Sequence, residues 1–174
     1  MVRVGRELER LLTAKGFSVT HDTTAFEPPK LSSAYARSLS MLEARAAAGE
    51  SYDLYIDLHR DAYTASQKGS NTVQTAAGPC ARLMLLIGKG EGQTEQGFDQ
   101  RPDWESNLAI ARQLTDALNA QEDGLCKEVC LKSGRFNQHI APCCVLIEAG
   151  NNRNTLEEAL AAMPYLADAI AGLP

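Results

Sequence analysis

The chain has 174 residues, 44% of them hydrophobic and 22% charged, with a net charge of -5 and a pI near 5.2. That length and balance fit one globular domain around one core and exclude a disordered or fibrous chain. The acidity argues against a partner built on phosphate backbones, which selects basic surfaces, so no nucleic acid is expected.

Taken in chain order, Val4 to Lys15 repeats Leu8, Leu11 and Leu12 at helical spacing and stops at Gly16. Phe17 to Thr20 predicts a short strand, and a polar loop then runs through Pro28 and Pro29. Ser32 to Ala48, rich in Ala, Leu, Met, Glu and Arg, predicts a second helix with Ser32 or Ser33 as its cap. From Tyr52 to His59 the residues alternate: Leu54, Ile56 and Leu58 face one way, Asp53, Tyr55, Asp57 and His59 the other. Ala81 to Ile87 is a nearly continuous apolar run, the pattern of a central strand, and a Gly-rich loop follows from Gly88 to Gly97. Trp104 to Ala120 is a long amphipathic helix with Leu108, Ala111, Leu114 and Leu118 on one side. A short strand is expected near Glu128 to Leu131, and a buried one from Cys143 to Ile147. The last helix opens on a capping box of Asn154 and Glu157, and Pro164 should kink or divide it. Helices alternating with short apolar strands predict a three-layer α/β fold, a mostly parallel sheet flanked by helices, with residues 1–174 forming a single domain.

No run approaches the roughly 18 apolar residues that span a bilayer, and Met1 to Arg10 has no signal-peptide core. Cys80, Cys126, Cys130, Cys143 and Cys144 are an odd set that cannot pair completely within one chain. Cys126 and Cys130 stand in neither a redox nor a usual zinc-finger spacing, and buried, inert thiols are the better reading.

Two residues carry most of the chemistry. His59 and Glu148 each directly follow an apolar strand and precede a loop, and in open α/β sheets sites gather outside the carboxyl ends of strands. A carboxylate ending a buried strand is costly unless it has a partner or a task. Glu148 is therefore read as functional, against the alternative of a salt bridge with Arg60. For His59 alone, a hydrogen-bonded strand-end histidine and a metal ligand both fit; Asp57 or Asp61 can supply the acceptor that fixes a ligand imidazole.

The string Ile56-Asp57-Leu58-His59-Arg60-Asp61-Ala62 resembles the central motif of the stage II sporulation protein P family. Its context agrees in order. Val4-Gly5 with the first helix and Gly16-Phe17 come first, then Ser33-Ala34-Tyr35-Ala36-Arg37-Ser38, similar to the family's Ser-Tyr-x-x-Ser-Arg with the last two exchanged. Pro102-Asp103-Trp104-Glu105-Ser106-Asn107, Phe136-Asn137-Gln138, Leu146-Ile147-Glu148-Ala149-Gly150 and Asn154-Thr155-Leu156-Glu157-Glu158-Ala159 follow. The resemblance covers nearly the whole chain. It implies a zinc-dependent N-acetylmuramoyl-L-alanine amidase, with His59 a zinc ligand and Glu148 the catalytic base. Peptidoglycan would be its partner, alongside membrane-associated proteins, in an extracytoplasmic or membrane-associated setting. Zinc would lower the pKa of a bound water towards about 7 and polarise the amide carbonyl. Arg60, Asn107, Asn137 and Gln138 can bind sugar hydroxyls, peptide amides or a carboxylate; for Asn137 and Gln138 loop-stabilising hydrogen bonds fit equally well. Trp104 reads as core before sugar platform.

The family's His-Thr-His-like segment, which supplies the other zinc ligands, should end just before Val4. The expectation is therefore a domain without its first strand and with too few ligands for tight zinc. His21 is a weak substitute, and a bare sheet edge invites homo-oligomerisation. A non-catalytic peptidoglycan-binding module is the alternative function. A thiol-dependent protein using Cys126 and Cys130 is a third.

Overall fold

The computed structural model describes residues 1–27, 30–62, 71–91 and 99–174. The loop through Pro28 and Pro29, and most of the Gly-rich loop after Gly88, lie outside the described residues.

Helix α1 (Val2–Ala14) buries Val4, Leu8 and Leu12, residues four apart and so on one stripe. It ends where Gly16 adopts φ 94°, while the Lys15 and Gly16 amides bond back to Leu12 and Thr13. The expected strand from Phe17 to Thr20 does not form. A strand exists through its ladder, and this segment has no neighbour to pair with among the described residues. A 3-10 turn at Leu31–Ser33 leads into α2 (Ala34–Ala47), which buries none of its own residues. Ser33 does not cap it; its hydroxyl donates to the Lys30 carbonyl and accepts from Arg37.

Strands β1 (Tyr55–Asp61), β4 (Leu83–Gly88), β5 (Cys130–Lys132) and β6 (Cys144–Asn151) make the main sheet. Its order is β1-β6-β4-β5, parallel at β1/β6 and β4/β5 and antiparallel at β4/β6. The sheet is thus mostly parallel, as expected. Between β1 and β4 in the chain comes a separate hairpin of β2 (Thr72–Thr75) and β3 (Gly78–Ala81), which claims the Ala81 assigned above to the central strand. Arg82 makes the break: its Nε donates to Gly124 O at 2.7 Å and its backbone N to Asn71 O at 2.9 Å.

Helix α3 (Trp104–Gln121) is capped by Asp103, whose side chain accepts from Ser106 N. Trp104 packs against the core, with Lys89 Nζ 4.9 Å above its ring. The last helix is divided, as Pro164 requires, into α4 (Leu156–Ala161) and α5 (Met163–Ala171). The capping box that opens α4 is Thr155 with Glu158, one residue later than expected. Asn154 instead accepts from Asn151 N at 2.8 Å and donates to Glu158 and to Asn71 O.

Leu83, Leu85, Ile87, Val145, Ile147 and Ala149 join residues of α1, α3, α4 and α5 in one buried core. At about 25 cal/mol per Å² of apolar surface, this face dominates the stability. The other sheet face carries Asp57, His59 and Glu148, and α2 stands beside it. Of the cysteines, Cys80, Cys126 and Cys144 are buried, and burial pushes these thiols up to about 11, 11 and 12. They are inert, as expected.

Candidate active site

His59 lies directly opposite Glu148 across the parallel β1/β6 pair, and Met84 of β4 lies opposite Glu148 on its other side. Strand alternation keeps Asp57, His59 and Glu148 on one face and puts Arg60 on the other. Both chemical residues sit inside strands rather than just beyond them. Pairing runs on to Asp61 and Asn151 through a bulge, because Gly150 at φ 74° absorbs the extra residue instead of turning the chain away. A side chain at Gly150 would meet Asn154 Oδ1 at 2.6 Å, so this position requires glycine.

His59 Nε2 stands 2.7 Å from Asp57 Oδ1. That bond, first, and the charges of Asp57 and Glu148 push the imidazole pKa upward against burial. With Nε2–H donating to Asp57 Oδ1, a neutral ring keeps Nδ1 as its lone-pair nitrogen. Glu148 presents the opposite case. Burial, with the charges of Asp61 and Asp57, pushes its carboxyl up to about 7 although His59 pulls it down. Its Oε2 is buried without a hydrogen-bond partner, so the ion pair with Arg60 is not made. An orphaned acceptor of this kind, poised near neutrality, makes Glu148 a candidate for a chemical task.

A chain of internal bonds builds the wall above this pair. Gln138, 2% exposed, accepts from Gly88 N at 2.8 Å and donates to Leu86 O at 2.9 Å, closing the end of β4. Fully buried Asn107 accepts from Cys144 N at 2.9 Å and donates to Gln138 O. Phe136 and Asn137 follow in the left-handed region, at φ 49° and 54°. From there Asn137 Nδ2 donates to Tyr35 O at 2.8 Å and Ser38 Oγ at 3.0 Å, anchoring α2. Tyr35 then lies edge-on to Phe136, centroids 5.8 Å apart, and parallel to His59 at 6.4 Å.

The amides of Asn107 and Gln138, read above as substrate binders, are therefore committed to main chain. Burial forces this, because each would otherwise leave strand-end groups unsatisfied. Asn137 is a clamp on α2, and Arg60 is exposed on the opposite face. Tyr35, unassigned from sequence, is the side chain that actually covers His59. Its sequence signals are its place in the Ser33–Ser38 segment that resembles the family motif and its being the lone aromatic on α2. His21 packs against Gly5 on α1, with Nδ1 3.2 Å from Glu9 Oε2. His139, half-buried beside Arg135, is held down to about 4 by burial.

His59 and Glu148 are donors of the kind zinc accepts. A catalytic zinc takes three protein ligands, however, and among the described residues no three His, Cys, Asp or Glu are grouped to hold an ion. The residues present do not make a zinc site on their own.

Residues 1–171 match the stage II sporulation protein P (SpoIIP) family. The chain belongs to this family. No curated protein matches it by sequence. Among solved structures it is similar to the apo form of the N-acetylmuramyl-L-alanine amidase Ami1 from Mycobacterium abscessus, at 15% identity and a TM-score of 0.52, covering 97% of this chain and 71% of that one. Ami1 from Mycobacterium smegmatis aligns at 16% identity and a TM-score of 0.49, covering 97% and 70%. At 15% identity the likeness to the Mycobacterium abscessus structure shows a shared fold alone. Within this SpoIIP domain, no helix among the described residues is long and apolar enough to cross a membrane.

Proposed function

We propose that this SpoIIP-family chain is a peptidoglycan hydrolase domain, cutting the amide between N-acetylmuramic acid and the stem peptide. The observation that carries the reading is the His59–Glu148 pair, with a buried, unpartnered carboxylate oxygen next to a half-exposed imidazole. Family membership and the amidase fold supply the substrate class.

The work falls to Glu148. Water is a weak nucleophile and an amide a poor electrophile, so the step needs a base that can also return a proton to the leaving amine. A carboxyl near 7 is divided between its two forms at neutral pH and suits both halves. Asp57 fixes the ring of His59, leaving Nδ1 to meet a ligand or ion. The described residues bring one imidazole where a zinc hydrolase needs a set, so no step is written through the metal. Zinc enters the proposal only as an ion that His59 would share with ligands from outside the described residues.

The scarcity of ligands favours a second reading, a peptidoglycan-binding module without turnover. Purified sacculi and defined muropeptides, with and without zinc, separate the two. Stem-peptide release that disappears in Glu148→Gln supports the hydrolase. Co-sedimentation with sacculi without release at any zinc concentration selects the binding module. Neither binding nor release sinks both.

A further inference from the structure

Tyr35 is held with more care than a space-filling ring requires. Asn137 fixes its carbonyl at 2.8 Å, Phe136 meets its ring edge at 5.8 Å, and its plane lies within 9° of the His59 ring. The residue is 37% exposed, so the ring is reachable by a ligand entering over His59. Its hydroxyl has no hydrogen-bond partner among the described residues, and its ring lies over the sheet face on which His59 stands with Asp57 and Glu148. Tyrosine is used where an apolar ring and a polar tip are both needed, and this hydroxyl is available to a ligand entering over His59. At neutral pH it is a phenol with one O–H to give.

We propose that Tyr35 is a further catalytic residue: its ring walls the reacting amide over His59, and its hydroxyl donates to the carbonyl oxygen of that amide. The helix that carries the donor is held before substrate arrives, because Asn137 Nδ2 donates to the Tyr35 carbonyl and to Ser38 Oγ. A preset donor aimed at the oxygen that gains charge strengthens as the tetrahedral species forms. The inference rests on the amide-hydrolase reading of the His59–Glu148 centre.

Tyr35→Phe keeps both ring contacts and removes only the hydroxyl, while Tyr35→Leu removes both. Two readouts are needed: turnover of a defined muropeptide, and calorimetric affinity for that muropeptide and for a phosphinate analogue with a tetrahedral centre at the amide. Loss of one such donor typically costs about 100-fold or more in kcat. The expected result for Tyr35→Phe is therefore a kcat fall of about that size with KM and muropeptide affinity within about 2-fold of the parent, and analogue affinity weakened by a comparable factor. Tyr35→Leu should weaken muropeptide binding as well. Should Tyr35→Phe leave kcat and analogue affinity within about 2-fold of the parent, the hydroxyl has no role and the proposal is overturned. A parent that binds without turnover still decides the question through the analogue. A parent that binds neither ligand overturns the amide-hydrolase reading itself, an outcome visible before any variant is compared.

Discussion

On one face of the sheet, Leu85, Ile87, Val145 and Ile147 disappear under four helices, with Lys15, just past α1, paired to Asp168 of α5 at the rim. On the other, α2 buries nothing of its own and is tethered by polar bonds: Asn137 to Tyr35 and Ser38, Arg45 to Asp22 at 2.7 Å and to Glu50 at 2.8 Å, and Arg37 to the Phe26, Glu27 and Lys30 carbonyls. The first face is dry and close-packed; the second also buries Leu86, Cys144 and Leu146, but its β1 side is wet, charged and carries the candidate chemistry. Packing energy grows with buried area, whereas exposed polar tethers contribute little individually and fix geometry instead. The domain thus places its stability and its chemistry on opposite sides of one set of strands, which share every residue of backbone.

The sharpest way to break this comparison is a pair of truncations, one for each face. Ile147→Ala, at a fully buried position, should cost about 2–5 kcal/mol in a urea titration. Leu39→Ala, on the partly exposed side of α2, should cost below about 1 kcal/mol. Equal losses would mean that α2 belongs to the core. Amide exchange should agree, with α2 opening well below the global unfolding free energy and α3 near it.

A change at the junction of the two faces should have an intermediate effect. Gln138→Ala strips the partners from Gly88 N and Leu86 O, both buried, and should destabilise by about 1–3 kcal/mol. It should also loosen the Phe136–Asn137 clamp, seen as faster exchange in α2. A loss confined to global stability, with α2 exchange unchanged, would disconnect the clamp from the helix it is inferred to hold.

Much of the dry face was legible in the sequence, because burial writes itself as periodicity. Leu8 and Leu12, or Leu108, Ala111, Leu114 and Leu118, can recur at helical spacing for one reason only, a shared apolar neighbour. Alternation likewise put Asp57 and His59 on one side of β1. What the sequence concealed was pairing. Phe17 to Thr20 has strand composition but no ladder partner, while Thr72 to Ala81 is polar and short yet pairs with itself. A loop was expected directly after Glu148, yet Gly150 makes a bulge and the strand runs on, since a glycine's positive φ serves either purpose. For the candidate site, His59 and Glu148 could be singled out because a polar group closing an apolar run is conspicuous, and the structure sets them side by side. Asn107 and Gln138 were equally conspicuous and misleading. An amide shows its capacity for hydrogen bonds but not which carbonyl, a strand away, will use it. Tyr35 reaches His59 only through contacts more than twenty residues distant, which no local pattern encodes.

The smallest expected effect tests the wet face most directly. In the folded chain burial raises the Glu148 carboxyl from 4.5 to about 7. Between those two values the native state holds a proton that the unfolded chain releases. Stability therefore falls as pH rises across that window and is level above it. The ionised carboxylate is a standing cost to the fold. Glu148→Gln removes the charge but keeps the shape, so the variant should match the parent near pH 4 and exceed it at pH 8. Because solvent reaches part of this site, the gain is discounted to about 1 kcal/mol. Urea midpoints at pH 4, 6 and 8 read it directly. A gain that grows with pH while turnover is lost would show a fold that retains a strained acid for its chemistry rather than its stability. A difference flat across pH would mean that Glu148 is not desolvated, and the argument for it as the poised base would lose its physical ground.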